Sequence, residues 1–141
     1  MTAVRCTFKR DDVIRLFAVM ACTALVASAA AAAKVIETQT VTFRGNHVQA
    51  RVTLATYPKA HGRHALYLFL RTRRPGAAAF REIALAALDD SRRRFEVRSF
   101  VVEPRWKAAL VKVVWQRRGL VKTHRQYLLA RVDSLRLIPP P

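Results

Sequence analysis

Acidic residues are scarce in this chain. Nine Asp or Glu stand against 26 Lys or Arg, giving a formal net charge of +17 over 141 residues. Acid–base catalysis by paired carboxylates therefore has few candidates, and the adjacent Asp89 and Asp90 sit in a turn signal, where Asp serves local backbone hydrogen bonding. Cysteine is rarer still: Cys6 and Cys22 both lie near the N-terminus, so the remainder has neither a disulfide nor a thiol nucleophile. The four glycines, Gly45, Gly62, Gly76 and Gly119, are isolated in turn signals, which excludes a Gly-rich phosphate loop. Ser91, Ser99 and Ser134 lie in no nucleophile elbow. Of four histidines, His61 and His64 form HGRH in a loop, whereas a three-imidazole zinc site would also need His47 or His124 from elsewhere. No catalytic residue, metal or cofactor is expected, and the chain reads as a non-enzyme.

Charge is also missing from one long run. MTAVRCTFKRDDVIR is a basic leader, and residues 16–33, LFAVMACTALVASAAAAA, follow without a charge and end in small residues. A basic start, an apolar run and a small-residue exit are the parts of a secretory signal peptide, with Ala31 and Ala33 suiting cleavage before Lys34. Residues 1–33 are therefore expected to be a signal peptide. The alternative is an uncleaved inner-membrane anchor over 16–33, at the short limit of a span. The remaining 108 residues hold 22 Lys or Arg against 7 Asp or Glu, about +15, and lie in the periplasm or outside the cell under the first reading.

What is present is strand punctuation. Turn signals recur at Arg44-Gly45-Asn46, Pro58 to Gly62, Arg74-Pro75-Gly76, Asp89-Asp90-Ser91, Glu103-Pro104-Arg105 and Arg117-Arg118-Gly119. Between them lie seven strand-sized slots: 35–44, 47–57, 64–73, 78–88, 93–102, 107–116 and 121–133. In VQARVTLATY, Val48, Ala50, Val52 and Leu54 share one face. In RRFEVRSFVVE, Phe95, Val97 and Val101 share another, and HALYLFLRTR is apolar on both faces, as a covered central strand would be. In the WKAALVKVVWQRRGLVKTHRQYLLARV stretch, Val111, Val113 and Trp115 alternate inward, with Leu128, Ala130 and Val132 opposite. The expected fold is all-β: an antiparallel meander of about seven strands over 34–134, forming a sandwich or open twisted sheet. A helix at about 77–90 is the alternative, making the fold α+β, because GAAAFREIALAALDDS holds good helix formers. Residues 135–141 are expected to be an extended Pro-rich tail.

The cations gather at turns: Arg71, Arg73 and Arg74; Arg92, Arg93 and Arg94; Arg117, Arg118 and Lys122. Alternate turns of a meander share one end of the sheet. The first group should then lie near Arg44 and Arg105, and the other two near each other and near Lys59 and Arg63. Clustered Arg favours phosphate and carboxylate partners, although charged turns also keep a β protein soluble and guard its edges. The sequence thus points to an exported basic binding or assembly module that contacts an acidic protein or anionic envelope polymer through these nine residues. Specific nucleic-acid recognition is not expected, since no recognition motif is present. The alternative is a structural subunit of a cell-envelope or secretion assembly, held by apolar or strand-addition contacts.

Overall fold

Alternating apolar residues bury one face of the central strands, and two sheets bring those faces together. The computed structural model describes residues 33–141; the expected signal peptide or anchor falls almost wholly outside them. Eight strands follow in chain order: β1 (Lys34–Thr42), β2 (Gln49–Pro58), β3 (His64–Arg73), β4 (Arg81–Ser91), β5 (Phe95–Arg105), β6 (Ala108–Arg117), β7 (Thr123–Arg131) and β8 (Ser134–Ile138). The first four form one antiparallel sheet in the order β1-β2-β3-β4, and the last four a second in the order β5-β6-β7-β8. A single 3₁₀ turn at Ala60–Gly62 is the only helical element among the described residues, and no helix there is long and apolar enough to cross a membrane.

One apolar core lies between the sheets. Ala50, Val52 and Leu54 of β2 and Leu66, Leu68 and Leu70 of β3 meet Phe100 and Val102 of β5, Val111, Val113 and Trp115 of β6, and Leu128 and Ala130 of β7. The sheets also touch at their margins. At one, Gln39 of β1 donates through Nε2 to the Phe100 carbonyl (2.7 Å) and accepts from the Val102 amide at Oε1 (3.3 Å). The side-chain amide thus takes the place of a backbone partner for the outer edge of β5. Further along, Arg44 completes a parallel bridge, its N–H donating to Arg105 and its carbonyl accepting from Lys107 (2.9 and 2.6 Å). At the other margin β4 runs beside β8.

Three expectations are corrected. Among the described residues the strand count is eight, because Ser134–Ile138 pairs with β7 from Arg131↔Ser134 to Tyr127↔Ile138 before Pro139 stops the ladder. The Pro-rich tail accordingly shortens to its last three residues. The strand expected over 78–88 forms, as β4 (Arg81–Ser91), and the alternative helix at 77–90 does not; Ile83, Ala86 and Leu88 pack on the core, and two register shifts against β3 blur its alternation. Val101 faces out, because a register shift between Val97 and Ser99 reverses the phase of β5 and turns Phe100 and Val102 inward. Finally, β5 runs through Glu103-Pro104-Arg105 instead of turning there. Pro104 is tolerated because β5 is an edge strand, and the reversal falls at Trp106-Lys107, where Lys107 has φ 53°.

The turn between β1 and β2 needs a glycine. Gly45 has φ 92°, and the Trp106 ring lies across it so closely that a Cβ there would stand 2.9 Å from ring carbons. The ring is 71% exposed and can swing aside, but the backbone angle cannot relax as easily. Gly45→Ala should therefore lower stability by about 1–2 kcal/mol, the usual cost of left-handed backbone for an L-residue. Thermal unfolding with Trp emission measures both the loss and the ring's displacement.

Candidate functional site

The strand ends sort the turns into two groups. At one end lie the β2–β3 loop, the β4–β5 turn and the β6–β7 turn. Asp90 of β4 receives hydrogen bonds from Lys59 Nζ and Arg63 Nε (both 2.8 Å). Asp89 receives Arg117 Nη2 at 2.6 Å and Nε at 3.1 Å, plus Trp115 Nε1 at 2.8 Å. Arg93 Nη1 donates to the Arg118 carbonyl (2.9 Å), and the Arg118 amide donates to the Arg94 carbonyl (2.8 Å). The chain reversal after β4 is set by Ser91, whose buried Oγ accepts the Arg93 amide at 3.0 Å.

This end holds eight cations, Lys59, Arg63, Arg92, Arg93, Arg94, Arg117, Arg118 and Lys122, against three carboxylates, Asp89, Asp90 and Glu96. The cations do not play one role. Arg117 is committed to Asp89, Lys59 and Arg63 share Asp90, and Arg118 lies 3.6 Å from Glu96. Arg92, Arg94 and Lys122 are exposed and make no ion pair among the described residues, so their charge faces solvent.

Asp89 is the inner anchor of the site. Its side chain is 9% exposed. Burial alone would raise its pKa, but hydrogen bonds from Arg117, Trp115 and the Asp90 amide outweigh that and hold it below the usual carboxylate range. The same bond raises Arg117. Asp90 is also lowered, by its bonds from Lys59 and Arg63 against a smaller opposing effect of burial, and Lys59 is raised in return.

The opposite end gathers the turns after β1, β3 and β5, yet its expected cluster of Arg71, Arg73 and Arg74 is dispersed. Arg71 stands on the outer face of its sheet and closes on Glu82 (3.1 Å). Arg73 bonds Gln49 through Nε and Nη2 and lies over the Phe80 ring (4.8 Å), which Arg51 also covers at 4.0 Å. Arg74 borders a shallow open cleft of about 390 Å³ with Thr42, His47 and Gln49. Arg44 bonds the Pro104 carbonyl and Arg105 pairs with Glu103.

Two features escaped the sequence reading. One is the aromatic group on the outer face of the first sheet. Tyr57 meets Tyr67 and Phe69 edge-on at 5.2 and 5.9 Å, and burial followed by the nearby Tyr67 and Glu82 pushes its pKa up to about 12. Alternation in HALYLFLRTR marks Tyr67 and Phe69 as apolar and implies a covering layer; both are only partly buried, on the outer face. The other is the turn tip, Leu120-Val121: the strand expected from residue 121 begins at Thr123, and both side chains are exposed. No three His, Cys, Asp or Glu side chains are placed to hold a metal among the described residues.

Set against known proteins, the chain matches no family model, and neither a curated protein nor a solved structure is found similar to it.

Proposed function

We propose that this protein is a non-enzymatic binding module that holds an anionic partner, an acidic protein or an envelope polymer, at its Arg92–Arg94 and Arg117–Lys122 end. The observation that carries the reading is the charge there: eight cations against three carboxylates, with Arg92, Arg94 and Lys122 left to solvent. Cations of one sign on a small surface raise the local anion concentration, and guanidinium forks match phosphate and carboxylate oxygens. Arg117 contributes rigidity more than free charge, since it is paired with Asp89, whereas Arg93 holds the Arg118 carbonyl and keeps its charge. Export by the N-terminal leader fits such a partner, because the envelope is rich in phosphate and carboxylate polymers.

Inorganic polyphosphate is the simplest probe. The chain should bind it with affinity that falls steeply as salt rises, since displaced counterions drive such binding. Replacing Arg92, Arg94 and Lys122 together with Ser removes charges that hold no partner among the described residues, so folding should be unchanged. The slope of log affinity against log salt should then drop by about 2–3. A slope unchanged by the triple substitution would sink this assignment.

A second reading has its own observation. The partly buried Tyr67 and Phe69, with the exposed Leu85 in register beside Phe69, form an apolar outer face suited to a structural subunit of an envelope assembly. It predicts association that survives high salt and weakens with Leu85→Ser.

A further inference from the structure

Two large apolar side chains stand at the tip of the cationic end. Val121 is 94% exposed, more than any other large apolar residue described, and its neighbour Leu120 is 42% exposed. They follow Arg117-Arg118-Gly119 and precede Lys122, with Arg92 and Arg94 on the adjoining turn.

The tip is held in shape from below. The Leu120 amide donates to the Arg117 carbonyl (3.0 Å), Arg93 Nη1 donates to the Arg118 carbonyl, and Gln116 Nε2 donates to the Val121 carbonyl (3.1 Å). Gly119, at φ 81°, lets the chain reverse, and a Cβ there would strike the Arg93 guanidinium at 2.8 Å. Three backbone groups of the tip are therefore paired within the protein. Besides fixing the turn, such pairing lowers the cost of withdrawing water from the tip, because an unpaired amide or carbonyl is costly in an apolar phase.

We infer that Leu120 and Val121 seat in the interfacial layer of an anionic lipid bilayer while the surrounding cations lie at its phosphates. This rests on the polyanion reading above and narrows it to a lipid surface. A soluble polyanion supplies phosphates but no apolar phase, which would leave Val121 unexplained. A bilayer supplies both in the right order: charged groups outermost and hydrocarbon beneath. Arg and Lys side chains are long enough to stay at the phosphate level while a shorter apolar tip goes deeper. Two apolar residues are too few to hold the protein on a neutral bilayer, so anionic lipid is required.

The test uses the full chain with phosphatidylcholine vesicles, with and without phosphatidylglycerol. V121W places an indole at the tip, whose emission should be quenched by brominated phosphatidylcholine in the anionic vesicles beyond any quenching of the parent. The pair of changes Leu120→Ser and Val121→Ser should weaken anionic-vesicle binding about tenfold or more, as two lost apolar contacts imply. Polyphosphate binding should be unaffected. If the parent binds anionic vesicles but the added indole is not quenched and the double variant binds equally well, the lipid seat is wrong and the polyanion reading stands. If the parent binds neither polyphosphate nor anionic vesicles, both fall together.

Discussion

Asp89→Ala should lower the unfolding free energy by about 2–4 kcal/mol, more than any other single surface or turn change in this protein. Asp89 of β4 joins the two sheets: it accepts the buried Trp115 indole and the Arg117 guanidinium, both on β6. Truncation leaves the indole N–H without its acceptor in the core and Arg117 without its partner. Arg117 is one-third exposed, so water recovers part of its charge and the upper end of the range is not reached through that residue alone. Asp89→Asn keeps an acceptor for the indole but not the charge, and should cost roughly half as much. Urea unfolding at neutral pH measures both, with the midpoint falling and the slope unchanged.

The same carboxylate gives the protein an acid limb. Its folded pKa is depressed, so its contribution is fully present above the ordinary carboxylate range. The contribution is lost as pH falls through that range towards the depressed folded value. Asp90 acts in the same direction, while Asp89→Asn should flatten part of the limb. Stability of the parent and variant converging as pH is lowered is the expected result. A constant gap at all pH values would mean that Asp89 acts by shape and not by charge.

The second large effect is a contrast between neighbours. Leu68→Ala should destabilise by about 2–5 kcal/mol, whereas Phe69→Ala, one residue on, should cost only about 1 kcal/mol. Leu68 is fully buried between the sheets; Phe69 lies on the outer face, partly buried against Tyr57. The larger side chain is thus the cheaper one to remove. Equal losses would mean that both faces of β3 are covered, as its uniformly apolar sequence suggests on its own. Paired chemical unfolding curves decide between these outcomes.

That contrast shows what alternation can and cannot reveal. Period-two patterning identified the buried faces of β2 and β6, where Ala50, Val52 and Leu54, and Val111, Val113 and Trp115, point to the core without interruption. It failed where the backbone inserts an extra residue, as at Arg98, because a bulge reverses every side chain beyond it. It missed β8 because Pro139 seemed to forbid a strand, although the ladder ends one residue before it. For the candidate site, the grouping of Arg92–Arg94 with Arg117 and Arg118 followed from counting turns. Which of these cations remain uncommitted did not, because that depends on where Asp89, Asp90 and Glu96 fall in space. In the sequence Asp89 reads as a turn residue, and no local pattern shows that its partner is a Trp 26 positions later.

The Gln39 amide has a consequence for how this protein behaves at high concentration. An open strand edge is a template on which further chains can stack, and a chain made almost entirely of strands is rich in such edges. Here the outer rims of the two sheets face each other, β1 against β5 and β4 against β8. Gln39 meets the Phe100 carbonyl and Val102 amide that an incoming strand would otherwise seize. One uncharged side chain thus occupies the ladder positions on which a further strand would add.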